Sequence, residues 1–108
     1  MAEQEASVGV SLPMERIRAF CQKWGISEFA LFGSVLREDF NAESDIDVLV
    51  QFRDGVRCTL FDLGTMTDEL EAIFGRRVDL LTRKGVEASP NYIRRKSILS
   101  STRVIYAE

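Results

Sequence analysis

The chain has 108 residues, 45% hydrophobic and 29% charged, which is typical of one soluble globular domain. Its formal net charge of −3 argues against a protein that neutralises long stretches of nucleic-acid phosphate. The sequence contains no histidine, so histidine-based acid–base or triad chemistry is excluded and a zinc site would need unusual ligands. Cys21 and Cys58 are far apart in sequence and belong to no ligand-type pair of cysteines.

The N-terminal residues suggest no targeting segment. They lack the basic region and the apolar run of a signal peptide, and no apolar run in the chain is long enough to cross a bilayer. We therefore expect a cytoplasmic protein with reduced thiols and no membrane association. We predict a flexible extension over 1–10 and a single domain over 11–108.

The predicted elements alternate between helices and strands, which indicates a small mixed α/β sheet with helices packed on it. In chain order we predict a helix over 14–24, a strand over 27–32, one or two helical turns over 34–39, a loop over 40–44, a strand over 45–52, a helix over 60–74, a strand over 76–82, a loop over 83–88, a helix over 90–101 and a short strand over 103–106. Thr59 and Asp62 resemble a capping box, Gly75 is a helix stop, and Ser89 with Pro90 resembles a helix start.

Two aspartates open the strand predicted over 45–52. Asp45 and Asp47 are two residues apart, so they project from the same face of the strand, whereas Ile46 and Val48 face the other way. Two neighbouring carboxylates repel each other, and a bound divalent cation would keep both ionised. Oxygen ligands without histidine or cysteine favour Mg²⁺ or Mn²⁺.

Asp79 is the natural third acid, because it too interrupts an apolar strand. If that strand neighbours the strand over 45–52, three carboxylates converge. They would be sufficient to hold two metal ions, one for an attacking oxygen and one for a leaving phosphate. Asp79 would also be placed to orient or deprotonate an acceptor hydroxyl.

Gly33 and Ser34 supply the complementary half of the predicted site. A glycine after a strand, followed by a serine that opens a helix, lets backbone N–H groups approach an anion. Arg37 lies one turn later and could add a forked contact to a phosphate. The sequence therefore predicts phosphates on one side of the site and their metals on the other.

Each of these features also has a simple structural interpretation. An isolated D-x-D is most often a surface turn or a helix cap, and an isolated Gly-Ser pair is usually a turn. The combination is more specific, and its direction matters because the acids here begin their strand. In haloacid-dehalogenase-type phosphatases and D-x-D glycosyltransferases the apolar strand comes before the acids, so both classes fit poorly.

The stretch FGSVLREDFNAESDIDVLV (32–50) resembles the G-S-x-x-R…S-D-I-D signature of the minimal nucleotidyltransferases in the DNA polymerase β-like superfamily. The segment RRVDLLT (76–82) resembles the strand that carries the third aspartate of that family, and the resemblance extends over residues 17–106. It implies the nucleotidyltransferase fold, similar to the polymerase β palm. One departure is Glu38, where the family often has glycine.

The resemblance implies a role for each matching residue. Asp45, Asp47 and Asp79 would be catalytic and would bind two Mg²⁺ ions, and Gly33, Ser34 and Arg37 would hold the nucleotide. The implied reaction is attack of a hydroxyl on the α-phosphorus of a nucleoside triphosphate, with ATP as the expected substrate and AMP as the transferred group.

The resemblance also implies a partner, a HEPN-domain ribonuclease toxin that the chain neutralises as its antitoxin by adenylylation, within a hetero-oligomer. One alternative is an antitoxin that neutralises its partner by binding alone, with catalysis dispensable. Modification of nucleic-acid ends is a further alternative, which we disfavour because the chain is acidic overall. The basic residues that could serve it are grouped late in the chain: Arg76, Arg77, Arg83, Lys84, Arg94, Arg95 and Lys96. A structural domain with three stray acids is improbable, because burying unpaired carboxylates together costs several kcal/mol.

Overall fold

The computed structural model describes residues 12–33 and 45–108. Within these ranges the elements are α1 (Met14–Trp24), β1 (Ile26–Phe32), β2 (Ile46–Phe52), α2 (Leu60–Phe74), β3 (Val78–Thr82), α3 (Arg83–Glu87), α4 (Tyr92–Ser100) and β4 (Arg103–Ala107). The predicted N-terminal extension and the turns and loop predicted over 34–44 lie outside the described residues. No helix in the described part of the chain is long and apolar enough to cross a membrane.

The four strands form one mixed sheet in the order β3-β2-β1-β4. β1 runs antiparallel to both β2 and β4, whereas β2 and β3 run parallel. The parallel pair is joined through α2, as a crossover connection requires. The predicted mixed α/β sheet is confirmed.

The sheet is covered on both faces, as the alternation in β2 shows. The first face carries Ile46, Val48 and Val50, which are fully buried in one cluster with residues of α1 and α2. The second face carries Leu49, which is buried in a smaller cluster with Val86 of α3 and residues of α4. Burying one such side chain contributes about 1.5–3 kcal/mol, so β2 is fixed from both sides.

The long helix α2 has the boundaries that its sequence predicts. Thr59 accepts a hydrogen bond from the N–H of Asp62, and the Asp62 carboxylate accepts one from the N–H of Thr59, which completes the capping box. Gly75 ends the helix in the left-handed conformation, with φ of 71°.

Two predictions for the C-terminal half were wrong. The predicted loop over 83–88 contains α3, because the Thr82 hydroxyl caps it by accepting a hydrogen bond from the N–H of Gly85. The last helix does not begin at Ser89 and Pro90. Its cap is Asn91, whose side chain accepts a hydrogen bond from the N–H of Arg94, and Ser89 instead accepts one from the N–H of Asn91.

Glu69 links α2 to α1 through side-chain hydrogen bonds. Its carboxylate accepts hydrogen bonds from Lys23 at 2.6 Å and from the indole of Trp24 at 3.0 Å. Partial burial raises the pKa of Glu69, but the hydrogen bonds from Lys23 and Trp24 and the charge of Lys23 together outweigh it. The pKa of Glu69 therefore lies below its ordinary value, and the ionised form stabilises the fold.

We predict that Glu69→Gln lowers the free energy of unfolding at pH 7 by about 1 kcal/mol. The depressed pKa means that the contribution of Glu69 is complete above its unfolded pKa and is lost as the pH falls through its folded pKa. Urea unfolding at pH 7 and near pH 3 tests this, with Asp68→Asn as the control at an exposed neighbouring acid. An equal deficit for Glu69→Gln at both pH values would contradict it.

Candidate functional site

The pairing register brings two of the predicted acids together. Asp47, the second residue of β2, pairs with Phe32 at the end of β1 on one side and with Asp79 on the other. Paired residues on adjacent strands lie about 4.8 Å apart, and their side chains share a face of the sheet. Asp47 is half-buried and Asp79 is exposed, so both acids lie at the end of the sheet where β2 and β3 begin.

Gly33 lies directly against Asp47. Its φ is 75°, and a Cβ atom placed on it would lie 2.2 Å from Oδ2 of Asp47. No side chain is compatible with that distance, so the backbone approaches the carboxylate only because the residue is glycine. The predicted phosphate-binding backbone and the predicted metal-binding strand are therefore in contact.

Asp45 is exposed and lies one residue before β2. Because it is outside the strand, the alternation of β2 does not fix the direction of its side chain. Over residues 12–33 and 45–108, no three acidic or cysteine side chains group closely enough to hold a metal ion. The structure thus brings Asp47 and Asp79 into register, while the convergence of all three acids is not found there.

The chemistry of the donors nevertheless fits a hard divalent cation. The acids at this end of the sheet offer only carboxylate oxygens, the ligands that Mg²⁺ and Mn²⁺ prefer. The backbone of Gly33 lies directly against one of those carboxylates. Ser34 and Arg37, the other residues predicted to hold the nucleotide, lie outside the described residues.

Two of the predicted basic residues have internal partners. Arg83 forms ion pairs with Glu28 and Glu87, and Arg95 donates hydrogen bonds to the main-chain carbonyls of Glu87 and Ser89. These guanidinium groups help to fix α3 and the start of α4.

A cleft of about 320 Å³ beside β3 was not predicted. It lies between α2 and α4 and is lined in part by Leu63, Leu80, Thr82 and Arg94. Its position depends on which strands lie at the edges of the sheet. The partial exposure of Leu80 and Leu81 marks β3 as an edge strand, but the sequence contains no signal for the strand order.

A family model described as a nucleotidyltransferase domain matches residues 14–105. One similar protein, from Methanocaldococcus jannaschii, is provisionally named a protein adenylyltransferase; it is 39% identical over 64 residues, which are 59% of this chain and 67% of that protein. Protein adenylyltransferase MntA of Thermococcus cleftensis is 31% identical over 67 residues, which are 62% and 66% of the two chains. The matched region thus spans about two thirds of each relative.

Solved structures of similar fold agree with the match to the nucleotidyltransferase domain family. A structure provisionally described as a minimal nucleotidyltransferase has a TM-score of 0.63 and 31% identity, and the match covers 82% of this chain and 85% of that one. A toxin–antitoxin complex with AMP-PNP has a TM-score of 0.69 over 90% of this chain and 75% of its own. At 16% identity, the second likeness concerns the fold alone.

We predict that Gly33→Ala destabilises the protein more than Gly55→Ala does. Both glycines have positive φ, 75° and 85°, so both variants carry the cost of placing a side chain in that conformation. Only the Cβ at Gly33 collides with a neighbour, because nothing lies within 4 Å of the Cβ position at Gly55. Urea unfolding should show that Gly33→Ala lowers the free energy of unfolding by about 1–3 kcal/mol more than Gly55→Ala does. Equal losses would show that Asp47 moves aside without cost.

Proposed function

The chain belongs to the nucleotidyltransferase domain family, and we propose that it transfers AMP from ATP to a hydroxyl group of a partner protein. The observation that carries the proposal is the register that sets Asp79 beside Asp47, with the backbone of Gly33 against the Asp47 carboxylate. In this proposal, an acid that activates the acceptor and a backbone that contacts the phosphates flank one central strand.

The proposed reaction is a single displacement. The oxygen of the acceptor hydroxyl attacks the α-phosphorus, a new oxygen–phosphorus bond forms, and the bond to the β-phosphate breaks. Pyrophosphate leaves with the electron pair of that bond, and the hydroxyl proton passes to the carboxylate of Asp79. No covalent intermediate with the protein is needed, so the protein acts by positioning the reactants and by stabilising charge.

The nucleotide would lie along the β1 side of this centre. Gly33 and Ser34 would donate backbone N–H groups to the triphosphate, and Arg37 would add a charged contact. Asp45, Asp47 and Asp79 would hold two Mg²⁺ ions, which when bound supply charge neutralisation for the triphosphate and the leaving pyrophosphate. Support comes from the all-carboxylate donor set and from the Gly33 contact.

The partner in this proposal is a HEPN-domain toxin, with which the chain forms a cytoplasmic toxin–antitoxin pair. Similar proteins are named protein adenylyltransferases, and structures of the same fold are described as toxin–antitoxin complexes, one of them with AMP-PNP. A modification of the toxin would neutralise it durably, whereas binding alone would require the antitoxin to remain in place.

The test uses the purified chain, ATP, Mg²⁺ and the toxin encoded beside it. We expect the toxin to gain the mass of one AMP group by mass spectrometry. The double variant Asp45→Asn with Asp47→Asn should reduce the rate of transfer at least about a hundredfold, because charge stabilisation at the triphosphate is lost. Asp54→Asn, which removes an exposed acid beyond the far end of β2, should leave the rate unchanged.

Growth of cells that produce the toxin separates this proposal from neutralisation by binding alone. Exposed apolar side chains, including Leu60 at 86% and Phe61 at 89% exposure, are the observation that favours a binding role. If the double variant is inactive in transfer yet protects cells fully, binding alone is sufficient. If transfer continues in the double variant, the proposed catalytic centre is wrong.

A further inference from the structure

We propose that the outer edge of β3 is where the partner's acceptor segment docks, pairing with β3 as an added strand and so bringing its hydroxyl group to Asp79. This inference rests on the proposed function. It assigns the acceptor site to a named strand edge and gives the segment a sequence pattern.

On its outer side, the backbone of β3 pairs with no strand in the described part of the chain. Among the described strands, β3 pairs only with β2 and lies at the edge of the sheet. The N–H of Ile46 bonds to the carbonyl of Arg77, so in the alternation of a parallel pair Asp79 and Leu81 also direct their backbone groups toward β2. The residues between them therefore direct their N–H and C=O groups outward.

Outward backbone positions lie on both sides of Asp79. The first outward N–H, that of Val78, donates to the carboxylate of Glu71, which confirms the alternation and closes that end of the edge. The next outward positions are Leu80 and Thr82, on the other side of Asp79. An extended segment can pair with these positions by main-chain hydrogen bonds, the mode that gives β-strand addition its affinity.

A cleft of suitable shape follows the same edge. Leu63 of α2 and Leu80 are apolar side chains that line the cleft of about 320 Å³ beside β3. Arg94 of α4 is a charged side chain that lines it. Because alternate side chains of an added strand point to opposite sides, one set would pack on the leucines. The apolar lining suits an aliphatic or β-branched side chain of the docked segment.

Arg94 gives the site its charge preference. Its side chain is exposed and lines the cleft, and its backbone N–H is engaged in the cap of α4. Arg95 beside it is held by main-chain carbonyls, so Arg94 is the guanidinium that can turn to a ligand. Leu81 also lines the cleft and lies two residues from Asp79 on the same face of the sheet, a separation of about 7 Å along a strand. The fitting segment has a hydroxyl residue and an acidic residue two positions apart, so that both side chains point to the same side.

The chemistry of transfer places the acceptor on the same side. In-line displacement requires the attacking oxygen and the leaving pyrophosphate to lie on opposite sides of the α-phosphorus. Gly33, the proposed phosphate contact, adjoins Asp47 from the β1 side, and β3 adjoins it from the other. An acceptor that approached over β1 would meet the triphosphate first. The open edge of β3 is therefore the side from which the hydroxyl can attack.

The test uses two short synthetic peptides of alternating valine and threonine, one with Tyr-x-Glu spacing and one with Glu-x-Tyr, to cover both strand directions. Amide hydrogen exchange of the whole chain should slow at Leu80 and Thr82 when one peptide binds. The amides of Asp79 and Leu81 already bond to β2 and should not change. If neither peptide slows Leu80 and Thr82 at about 1 mM, the docking site is wrong.

Charge exchange tests the role of Arg94. Arg94→Glu should weaken binding of the glutamate peptide at least about fivefold, and replacing that glutamate by lysine should restore it. Lys96→Glu is the matched control, an exposed cation on the same helix that does not line the cleft. A non-hydrolysable ATP analogue should leave peptide binding intact or strengthen it. If the analogue displaces the peptide, the cleft belongs to the nucleotide and the inference fails.

Transfer to the peptide tyrosine, measured by mass spectrometry with ATP and Mg²⁺, separates the two proposals. A peptide can bind with the expected exchange pattern while neither it nor the whole toxin gains AMP. In that case the proposed function fails. If the toxin is modified at an unchanged rate by the Arg94→Glu variant and the peptides do not bind, the function holds and the docking site is wrong. A rise in KM for the toxin with unchanged kcat in that variant supports docking.

Discussion

The register of β2 between its two neighbours is the constraint on which the candidate site depends. It sets Asp47 opposite the end of β1 and beside Asp79 of β3 at the same time. Because successive side chains alternate between faces, a slip of one residue would move Asp47 into the first-face core and turn Val48 to the second face. The hydrophobic alternation of β2 therefore fixes the position of the acid as firmly as it fixes the core.

This arrangement lets one strand contribute to the core and to the candidate site without fully burying a carboxylate. Ile46, Val48 and Val50 are completely buried, whereas Asp47 is only half-buried. α3 and α4 cover the second face beside Leu49 and leave the beginning of the strand accessible. The carboxylates thus avoid the cost of several kcal/mol that full burial would impose, while the rigid part of the strand holds their backbone.

Local patterns in the sequence predicted what depends on nearby residues. The capping box at Thr59, the helix end at Gly75 and the face alternation of β2 are all decided within a few positions. The cap at Asn91 was missed because Ser89 followed by Pro90 is an equally good local signal. The order of the strands depends on long-range packing. The position of β3 at an edge, with the cleft beside it, therefore could not be predicted, and the pairing of Asp79 with Asp47 was predicted only on the condition that their strands are neighbours.

In the proposed reaction, the two paired acids would serve different reactants because they lie on different strands. Asp47 belongs to a central strand that is paired on both sides, so its backbone has no free hydrogen-bonding edge and suits an ion or a phosphate held by side chains and by Gly33. Asp79 belongs to an edge strand, whose outward backbone groups can bind a polypeptide. In the proposed reaction, the nucleotide would therefore lie against the central strand and Gly33, and the acceptor would pair with the edge of β3.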